Sequence, residues 1–338
     1  MDRRVVTFTA PGRVEVREES LPPLHADEVL VETLFSAISA GTEMLVYRGQ
    51  FPRDVSDSHD SLSSGLNYPL TYGYASVGRV SEIGASVPRE WEDRLVFAFQ
   101  PHSSHFITTP NSLISIPESL SAENAVFLPN METAVNLVQD AAPLLGERVL
   151  VLGQGILGLL TAALLHEFPL EYLAAADRFE LRRKASLTLG VNAALDPTFE
   201  DFRILALQSA AGMQHGFDLI IELSGNPSAL DDAIALTVFS GRVVIGSWYG
   251  EKRAAIDLGG KFHRSRIRLI SSQVSSISPE LSGRWDKPRR FEVAWNALKR
   301  IQPEKWITHK FPLEQAAQAY QLLDSSPELA IQIIFNYR

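Results

Sequence analysis

The sequence predicts an α/β protein of two domains, the second built on a doubly wound parallel sheet. Three observations carry this. Residues 1 to about 120 are short alternating or β-branched runs broken by Gly and Pro, the pattern of a β-rich domain with irregular loops. From Ser121 onward, strand-like and helix-like segments alternate. Val/Ile/Leu-rich strands in such an alternation form a parallel sheet covered on both faces. Finally, the chain has 338 residues, too many for one compact core and enough for two.

In the first domain, "RRVVTFTA", "EVLVETLFSAIS", "YASVGRVSEIG" and "RLVFAF" read as strands. "RDVSDSHDSLSSGLN" (Arg53–Asn67) is rich in Ser and Asp and reads as a surface loop or a lid. "SAENAVFLPNMETAVNLVQDA" carries apolar residues at helical spacing. Then come "RVLVLG" as strand, "ILGLLTAALLHEF" as helix, "EYLAAAD" as strand and "FELRRKASLTLG" as helix. "FDLIIELSG" (strand), "PSALDDAIALTV" (helix) and "GRVVIGSW" (strand) follow. "PLEQAAQAYQLLDSSPELAIQIIF" reads as a helix, a turn and a last strand.

Composition excludes several function classes. The net charge of −9 argues against a nucleic-acid partner, which needs concentrated positive charge. The basic stretches "KFHRSRIR" (Lys261–Arg268) and "KPRR" (Lys287–Arg290) read as solvated faces or small anion contacts. There is no cysteine, so disulfides, thiolate zinc sites and a Cys nucleophile are impossible. The N-terminal stretch has no apolar run of signal-peptide length, and no uncharged apolar run reaches about 18 residues. The expectation is a cytoplasmic protein with no membrane partner.

The strongest chemical signal is "RVLVLGQGILGLLTAALL". Gly153, Gly155 and Gly158, with Ile156 and Leu157 among them, make a G-x-G-x-x-G directly after a strand and opening a helix. In that setting the first Gly permits a tight turn, the second lets a pyrophosphate approach the backbone, and the third lets helix and strand pack. The phosphates would sit at the helix N-terminus, where free N–H groups and the helix dipole favour anions. This is a Rossmann dinucleotide site. Asp177 ends the second strand, where a carboxylate accepts ribose hydroxyls and repels a 2′-phosphate; the other reading is a helix N-cap. NAD is therefore expected. Arg178, Arg182 and Arg183 follow and could pair with a 2′-phosphate, which keeps NADP open. Ser224, Gly225, Gly246 and Ser247 lie at later strand ends and are expected near the cofactor. Trp248 and Tyr249 either flank nicotinamide or substrate, or pack.

"SAISAGTEM" (Ser36–Met44), "YPLTYGYASVGRVSEIG" (Tyr68–Gly84), the glycine turn with Asp177, and "ITHKFPLEQAAQAYQLL" (Ile307–Leu323) together resemble the medium-chain dehydrogenase/reductase superfamily, the alcohol dehydrogenase-like proteins. The resemblance covers nearly the whole chain. "AISAGTE", "PHSSHF" and "RWDKPRRFEVAW" are similar to the branch containing bacteriochlorophyllide 1-hydroxyethyl dehydrogenases. The resemblance implies a GroES-like catalytic domain at 1–122, a Rossmann domain at 123–270, and a return to the catalytic domain at 271–338. It also implies a homodimer.

The departures from that family concern its metal. Its zinc-dependent members have Cys before Gly-Thr-Asp, where this chain has Ala40. They have Gly-His-Glu where this chain has Gly73, Tyr74 and Ala75, and a third ligand near Leu128. No side chain at these three positions is a zinc ligand of the family's kind, so no metal is expected. Tyr74 then either donates a proton to a substrate oxygen, which calls for lowering its ordinary pKa of about 10, or fills the vacated space. Thr42 matches the family's hydroxyl relay position, or caps a helix. Glu43 either orients a neighbour or is a solvated carboxylate. One of His102 and His105 could relay protons or contact substrate, or the two with a carboxylate could bind a different metal. His263 could touch an anion or lie on the surface. Tyr47, Trp248 and Trp285 are expected as substrate contacts.

The function expected is zinc-independent, NAD(P)(H)-dependent interconversion of a small-molecule alcohol and carbonyl. NADPH-dependent enone or quinone reduction is one alternative. A catalytically silent dinucleotide-binding protein is the other.

Overall fold

The computed structural model describes residues 1–51, 67–210 and 216–337. All of the Arg53–Asn67 loop except its last residue lies outside them. The chain divides into two compact units: Met1–Pro129 with Leu298–Arg338, and Asn130–Ala297.

The first unit opens with β1 (Asp2–Ala10), β2 (Arg13–Ser20), β3 (Val29–Ala37), α1 (Thr42–Arg48), β4 (Leu70–Thr71) and β5 (Ser76–Ile83). β6 (Leu95–Ala98), β7 (His105–Thr108), β8 (Ile114–Ser115) and α2 (Ala122–Ala125) follow. α3 (Leu128–Ala141) carries the chain into the second unit. There β9 (Arg148–Leu152), α4 (Ile156–His166), β10 (Tyr172–Ala176), α5 (Glu180–Thr188), β11 (Ala193–Leu195) and α6 (Phe202–Ser209) succeed one another. β12 (Phe217–Glu222), α7 (Ala229–Leu236), β13 (Thr237–Ile245) and β14 (Arg268–Ser271) complete its sheet. α8 (Lys287–Ile301) leads back to the first unit, which closes with β15 (Ile307–Pro312), α9 (Ala316–Ser325) and β16 (Gln332–Asn336).

Among the described residues the first unit holds a small sheet, β2-β1-β4, and a larger one, β15-β16-β3-β5-β6-β8, with β7 also on β3. One edge of β3 is taken by β5 along its length. The other is shared: β7 pairs with Val29 to Glu32, and β16 with Phe35 to Ala37. The residues just before β7 and just after β16 therefore arrive together at the middle of β3. That meeting point positions the site described below.

The second sheet is parallel throughout, in the order β11-β10-β9-β12-β13-β14. The chain starts in the middle, winds out to β11, crosses back, and winds out to β14. Such a sheet has its topological switch point between β9 and β12, and ligands bind outside the strand carboxyl ends there. Ala174, Leu150, Ile220 and Val243 form one row across the sheet, buried against Phe202, Ala206, Leu230 and Ala233 of α6 and α7. This is the apolar burial that stabilises a doubly wound layer.

Several elements were not read from the sequence, among them β11, α6 and β14. β11 has only the residues "AAL", too few for any periodicity. β14, "RLIS", is an edge strand with exposed ends and reads as part of a basic loop. Thr237 and Val238 also move, from the expected end of a helix to the start of β13; α7 stops at Leu236, and Thr237 is extended (φ −80°, ψ 138°). The reading of Lys287–Arg290 as a solvated face is corrected. Arg290 is fully buried, its guanidinium on Glu132 Oε1 (2.7 Å) and Asn136 Oδ1 (2.6 Å), and Lys287 reaches the same carboxylate (2.7 Å). Among the described residues, no helix is long and apolar enough to cross a membrane.

Candidate functional site

The polar centre of the first unit is built where β3 ends and α1 begins. Gly73 turns the chain at φ +127° into β5, and a Cβ there would lie 2.9 Å from His102 Cδ2, so only glycine fits beside that ring. The next residue, Tyr74, donates its hydroxyl proton to Ser39 Oγ at 2.5 Å, and Thr42 Oγ1 lies 3.5 Å away. Thr42 is the first residue of α1, and the helix takes no side-chain cap, so its hydroxyl is not spent on capping. Burial raises the Tyr74 phenol above its usual range. Hydrogen bonds with Ser39 and Thr42 offset part of this, and the Glu43 charge adds to it. The lowering that the sequence reading called for is therefore not found: Tyr74 is held protonated.

Glu43 is fully buried, not a solvated carboxylate. It accepts from the Ser39 amide (2.8 Å), His102 Nε2 (2.9 Å) and the Tyr320 hydroxyl (2.5 Å). On its other side, His102 Nδ1 meets Ser36 Oγ at 2.6 Å, and Ser36 Oγ meets the Tyr337 hydroxyl at 2.7 Å. His105 turns elsewhere. It pairs across from Glu32 and bonds Ser104 Oγ (3.1 Å), and burial lowers its pKa while Glu32 opposes this. The two histidines thus do not share one site. His263 is exposed.

Tyr47 stacks on Tyr320, ring centroids 5.6 Å apart, within an aromatic group that includes Phe8. Trp248 and Trp285 belong to the second unit. Trp248 is half-buried just after β13. Trp285 lies under the Arg289 guanidinium, 4.2 Å away.

The glycine turn sits at the switch point of the second unit. A Cβ on Gly153 (φ +90°) would lie 2.5 Å from the Leu223 carbonyl, and one on Gly158 1.9 Å from Gly153 O. Gly155 differs: its Cβ would meet nothing nearer than Arg182 Nη1 at 3.9 Å. No side chain caps α4, so its first-turn amides face this open space. The cradle fits a pyrophosphate. Asp177 accepts from the Gln154 amide in the turn (2.7 Å) and from the Phe179 amide (2.8 Å), with Arg182 Nη1 3.9 Å away. The N-cap of α5 is Phe179, without a side-chain bond, so Asp177 is no helix cap. Its carboxylate keeps acceptor capacity for ribose hydroxyls. Arg178 and Arg182 both lie over the Phe179 ring (4.4 and 4.8 Å), and Arg183 is bound to the Asp177 carbonyl (2.7 Å) and Asp196 (2.8 Å).

At the end of β12, buried Glu222 accepts from the Ser224 amide (2.7 Å), the Ser224 hydroxyl and the Tyr249 hydroxyl (2.5 Å). Burial, the Glu222 charge and that hydrogen bond all raise the Tyr249 phenol. The Gly225 amide donates to Ser247 Oγ (2.9 Å), tying the two strand-end loops together. Gly246 packs tightly beside Leu137 and Leu223.

The zinc of the family does not fit this chain. Ala40 offers a methyl group, Tyr74 a phenol held protonated, and Leu128 a buried apolar side chain. Among the described residues, no three of His, Cys, Asp or Glu gather at a point that could hold a metal ion.

Residues 126–333 match the family described as glucose dehydrogenase C-terminus. The chain belongs to this family. It is thereby a medium-chain dehydrogenase/reductase, an NAD(P)(H)-linked oxidoreductase without the superfamily's zinc ligands. This oxidoreductase is 24% identical to D-guloside 3-dehydrogenase of Escherichia coli (strain K12) over 342 residues, covering 96% of this chain and 97% of that protein. It is 25% identical to 2-desacetyl-2-hydroxyethyl bacteriochlorophyllide A dehydrogenase of Cereibacter sphaeroides, covering 100% and 99%. Its fold is similar to that of a short chain alcohol dehydrogenase from E. coli CFT073 complexed with cofactor NADH, with a TM-score of 0.78, 19% identity and 99% of each chain covered.

Sequence reasoning missed Ser39, Ser36, Tyr320, Tyr337 and Glu222. Ser36 and Ser39 both stand inside the motif "SAISAGTEM", so attention to every hydroxyl there would have found them. Nothing local marks the two tyrosines.

Proposed function

We propose that this oxidoreductase interconverts an alcohol and a carbonyl compound with NAD(H), using hydroxyl groups where zinc-dependent members of the superfamily use a metal ion. The observation that carries this is the Tyr74 hydroxyl. The sequence resemblance puts it where the family has a His ligand, and it is bonded to Ser39 with Thr42 3.5 Å away. When bound, the nicotinamide supplies or accepts the hydride. In reduction, the carbonyl oxygen gains negative charge and needs donors. The Tyr74 proton is given to Ser39 Oγ, so the Ser39 and Thr42 hydroxyl protons would serve the substrate oxygen, with Tyr74 polarising Ser39. In oxidation, the alcohol would pass its proton to one of these hydroxyl oxygens as that hydroxyl releases its own along the set to water, so that no hydroxyl gains a net proton. The Gly153–Gly158 turn would hold the pyrophosphate and Asp177 the ribose, which favours NAD over NADP. Ser224, Gly225, Gly246, Ser247 and Trp248 would line the nicotinamide side, and Tyr47 and Trp285 remain candidate substrate contacts. Two of the relatives, D-guloside 3-dehydrogenase and the bacteriochlorophyllide A dehydrogenase, are dehydrogenases by name, which supports the reaction class. A homodimer joined through β14, the edge strand of the sheet among the described residues, belongs to this reading.

The test supplies NADH deuterated at C4, in separate reactions, with ketones and aldehydes, with enones, and with quinones. We expect carbonyl reduction, deuterium on the carbinol carbon, and a kcat about 10²-fold lower in Tyr74→Phe. Reduction only at C=C or of quinones would replace this reading. Tight NADH binding with no oxidation by any of them would make the protein a catalytically silent binder.

A further inference from the structure

We propose that Arg290, gripped by Glu132, is a positioning residue for the segment Ser272–Ser276, which walls the nicotinamide half of the cofactor site. This rests on the dinucleotide reading given above.

A guanidinium has five N–H groups and accepts nothing. All five of Arg290 are spent, in a fully buried position. Nε and one Nη2 hydrogen hold Glu132 Oε1 (3.0 and 2.7 Å). Nη1 holds Asn136 Oδ1 (2.6 Å) and the Ser276 carbonyl (3.3 Å), and the other Nη2 hydrogen holds the Val274 carbonyl. Three bonds thus go to α3 and two to the backbone that follows β14. Lys287 Nζ repeats the pattern, on Glu132 Oε1 (2.7 Å) and the Val274 carbonyl (3.0 Å).

Glu132, Asn136 and Asp140 stand four apart on α3, so they share one face of that helix. Ser272 joins the same face. Its hydroxyl donates to Asp140 Oδ2 (2.6 Å) and accepts from Asn136 Nδ2 (3.0 Å), while its amide donates to the Ile245 carbonyl at the end of β13 (2.9 Å). The segment is therefore held at Ser272, Val274 and Ser276 by α3 and α8. Gln273 and Ser275, between them, bond one another instead, Nε2 to Oγ at 2.8 Å and the Ser275 amide to Oε1 at 2.5 Å. The run "RWDKPRR" aims the guanidinium. Asp286 accepts from the Arg289 amide (2.8 Å) at the start of α8, and the Trp285 ring lies under the Arg289 guanidinium, so the first turn that carries Arg290 is fixed.

The place of the segment follows from the sheet. β14 is parallel to β13, so Ser272 leaves at the carboxyl ends of the strands, next to the point where β13 gives way to Gly246. The glycine turn follows β9, and Asp177 ends β10. A dinucleotide with its pyrophosphate on the one and its adenosine ribose on the other sends its second nucleoside the opposite way, along the ends of β12, β13 and β14. Ser272–Ser276 stands at the end of that path.

Volume alone would not call for this pair. Two apolar side chains fill such a space without the desolvation penalty, and replacing a buried ion pair by them is often neutral or stabilising. What the pair adds is direction: a planar fork on a helix holds two carbonyls of one loop in fixed places.

The test uses Arg290→Lys and the double variant Glu132→Met with Arg290→Met. Lysine keeps a cation for Glu132 but lacks the fork that reaches both carbonyls. The double variant removes both charges together and keeps the space filled, so no charge is left unpaired by its partner's loss. Lys287→Met, at a half-buried position, removes one of the two holds on Val274 and gives a smaller shift of the same kind if the others do not fold. Urea denaturation identifies the folded variants. NADH binding is followed by fluorescence, and binding of ADP-ribose, which lacks only the nicotinamide, by calorimetry. We expect the NADH Kd to rise about tenfold in Arg290→Lys and in the double variant, with the ADP-ribose Kd unchanged within about twofold. Amide hydrogen exchange of a peptide spanning 272–286, without cofactor, should quicken about tenfold in both. Equal losses for the two ligands mean general damage to the second unit and overturn the proposal. Unchanged affinities, or unchanged exchange of that peptide, reduce Arg290 to packing and overturn it as well. A wild type that binds neither ligand overturns the dinucleotide reading, a failure visible before any variant is made, and this proposal with it.

Discussion

His102 Nε2 lies 2.9 Å from Glu43 Oε2, and neither side chain is exposed at all. Placing a carboxylate in a dry interior carries a large desolvation penalty unless donors surround it. Here three surround it, and the imidazole between Glu43 and Ser36 is satisfied at both nitrogens. The family's metal-binding members concentrate charge on an ion. This chain instead concentrates it on a carboxylate behind a hydroxyl.

A buried charge that loses its site leaves its partners unpaired. Glu43→Ala strands His102 Nε2–H and the Tyr320 O–H, and is expected to destabilise the protein by about 3–5 kcal/mol. Glu43→Gln keeps one acceptor oxygen and costs less. Urea denaturation gives both values. Equal stability for Glu43→Ala and the wild type would mean that the pair contributes nothing to the fold.

The glycine turn allows two substitutions of opposite character. Gly158→Ala drives a Cβ to 1.9 Å from Gly153 O and is expected to prevent stable folding or lower Tm by well over ten degrees. Gly155→Ala has open space, with its nearest neighbour at 3.9 Å, so the variant folds. Its methyl group then stands where a pyrophosphate would approach, and NADH affinity falls about 10²-fold. Calorimetry and NADH fluorescence titration separate the two effects.

That turn was legible because its chemistry is local: three glycines, a strand before and a helix after. The same holds for β9, β10 and β12, whose apolar runs are buried along nearly their whole length. The Glu43 centre was legible only in part. Thr42, Glu43 and Tyr74 sit near one another in sequence or in recognisable motifs. Tyr320 and Tyr337 lie 277 and 301 positions from Glu43 and Ser36; Tyr337 arrives because β16 takes the second half of the β3 edge, and Tyr320 arrives on α9. Strand pairing of that range leaves no periodicity to read. Arg290 was misread for a related reason: a basic run looks solvated until the partner carboxylate on another helix is known.

Acid should weaken the second unit through Glu147. Its carboxylate takes both Arg242 Nη1 and Nη2 at 2.7 Å, and Arg242 Nε holds the Ala141 carbonyl at 2.7 Å. Burial alone would push the Glu147 carboxyl up, but the bonds from Arg242 and the Leu144 amide, with the Arg242 charge, bring it below its usual 4.5. A carboxyl whose folded pKa is depressed contributes stability above its unfolded pKa and loses it as pH falls through the folded value. Stability should therefore decline below about pH 4.5, and Glu147→Gln should flatten that limb while lowering stability at neutral pH. Denaturation midpoints between pH 3 and 7 decide; parallel curves would remove Glu147 from the account.

Asp177 has one role in the turn and a second that the proposed function gives it, and the two can be separated. Its Oδ2 accepts from the Gln154 amide and its Oδ1 from the Phe179 amide, so the carboxylate clamps the glycine turn to the end of β10. Its charge and remaining lone pairs are what would recognise a ribose and reject a 2′-phosphate. Asp177→Asn keeps one acceptor but loses the charge. The clamp is then half lost, at about 1–2 kcal/mol of stability. Removing the charge should weaken NADH binding about tenfold, and with Arg178 and Arg182 beside the site NADPH should gain relative to NADH. Fluorescence titration with both cofactors reads the preference, and urea denaturation reads the clamp. If stability falls while the ratio of the two dissociation constants stays unchanged, Asp177 serves the turn alone and cofactor choice is made elsewhere.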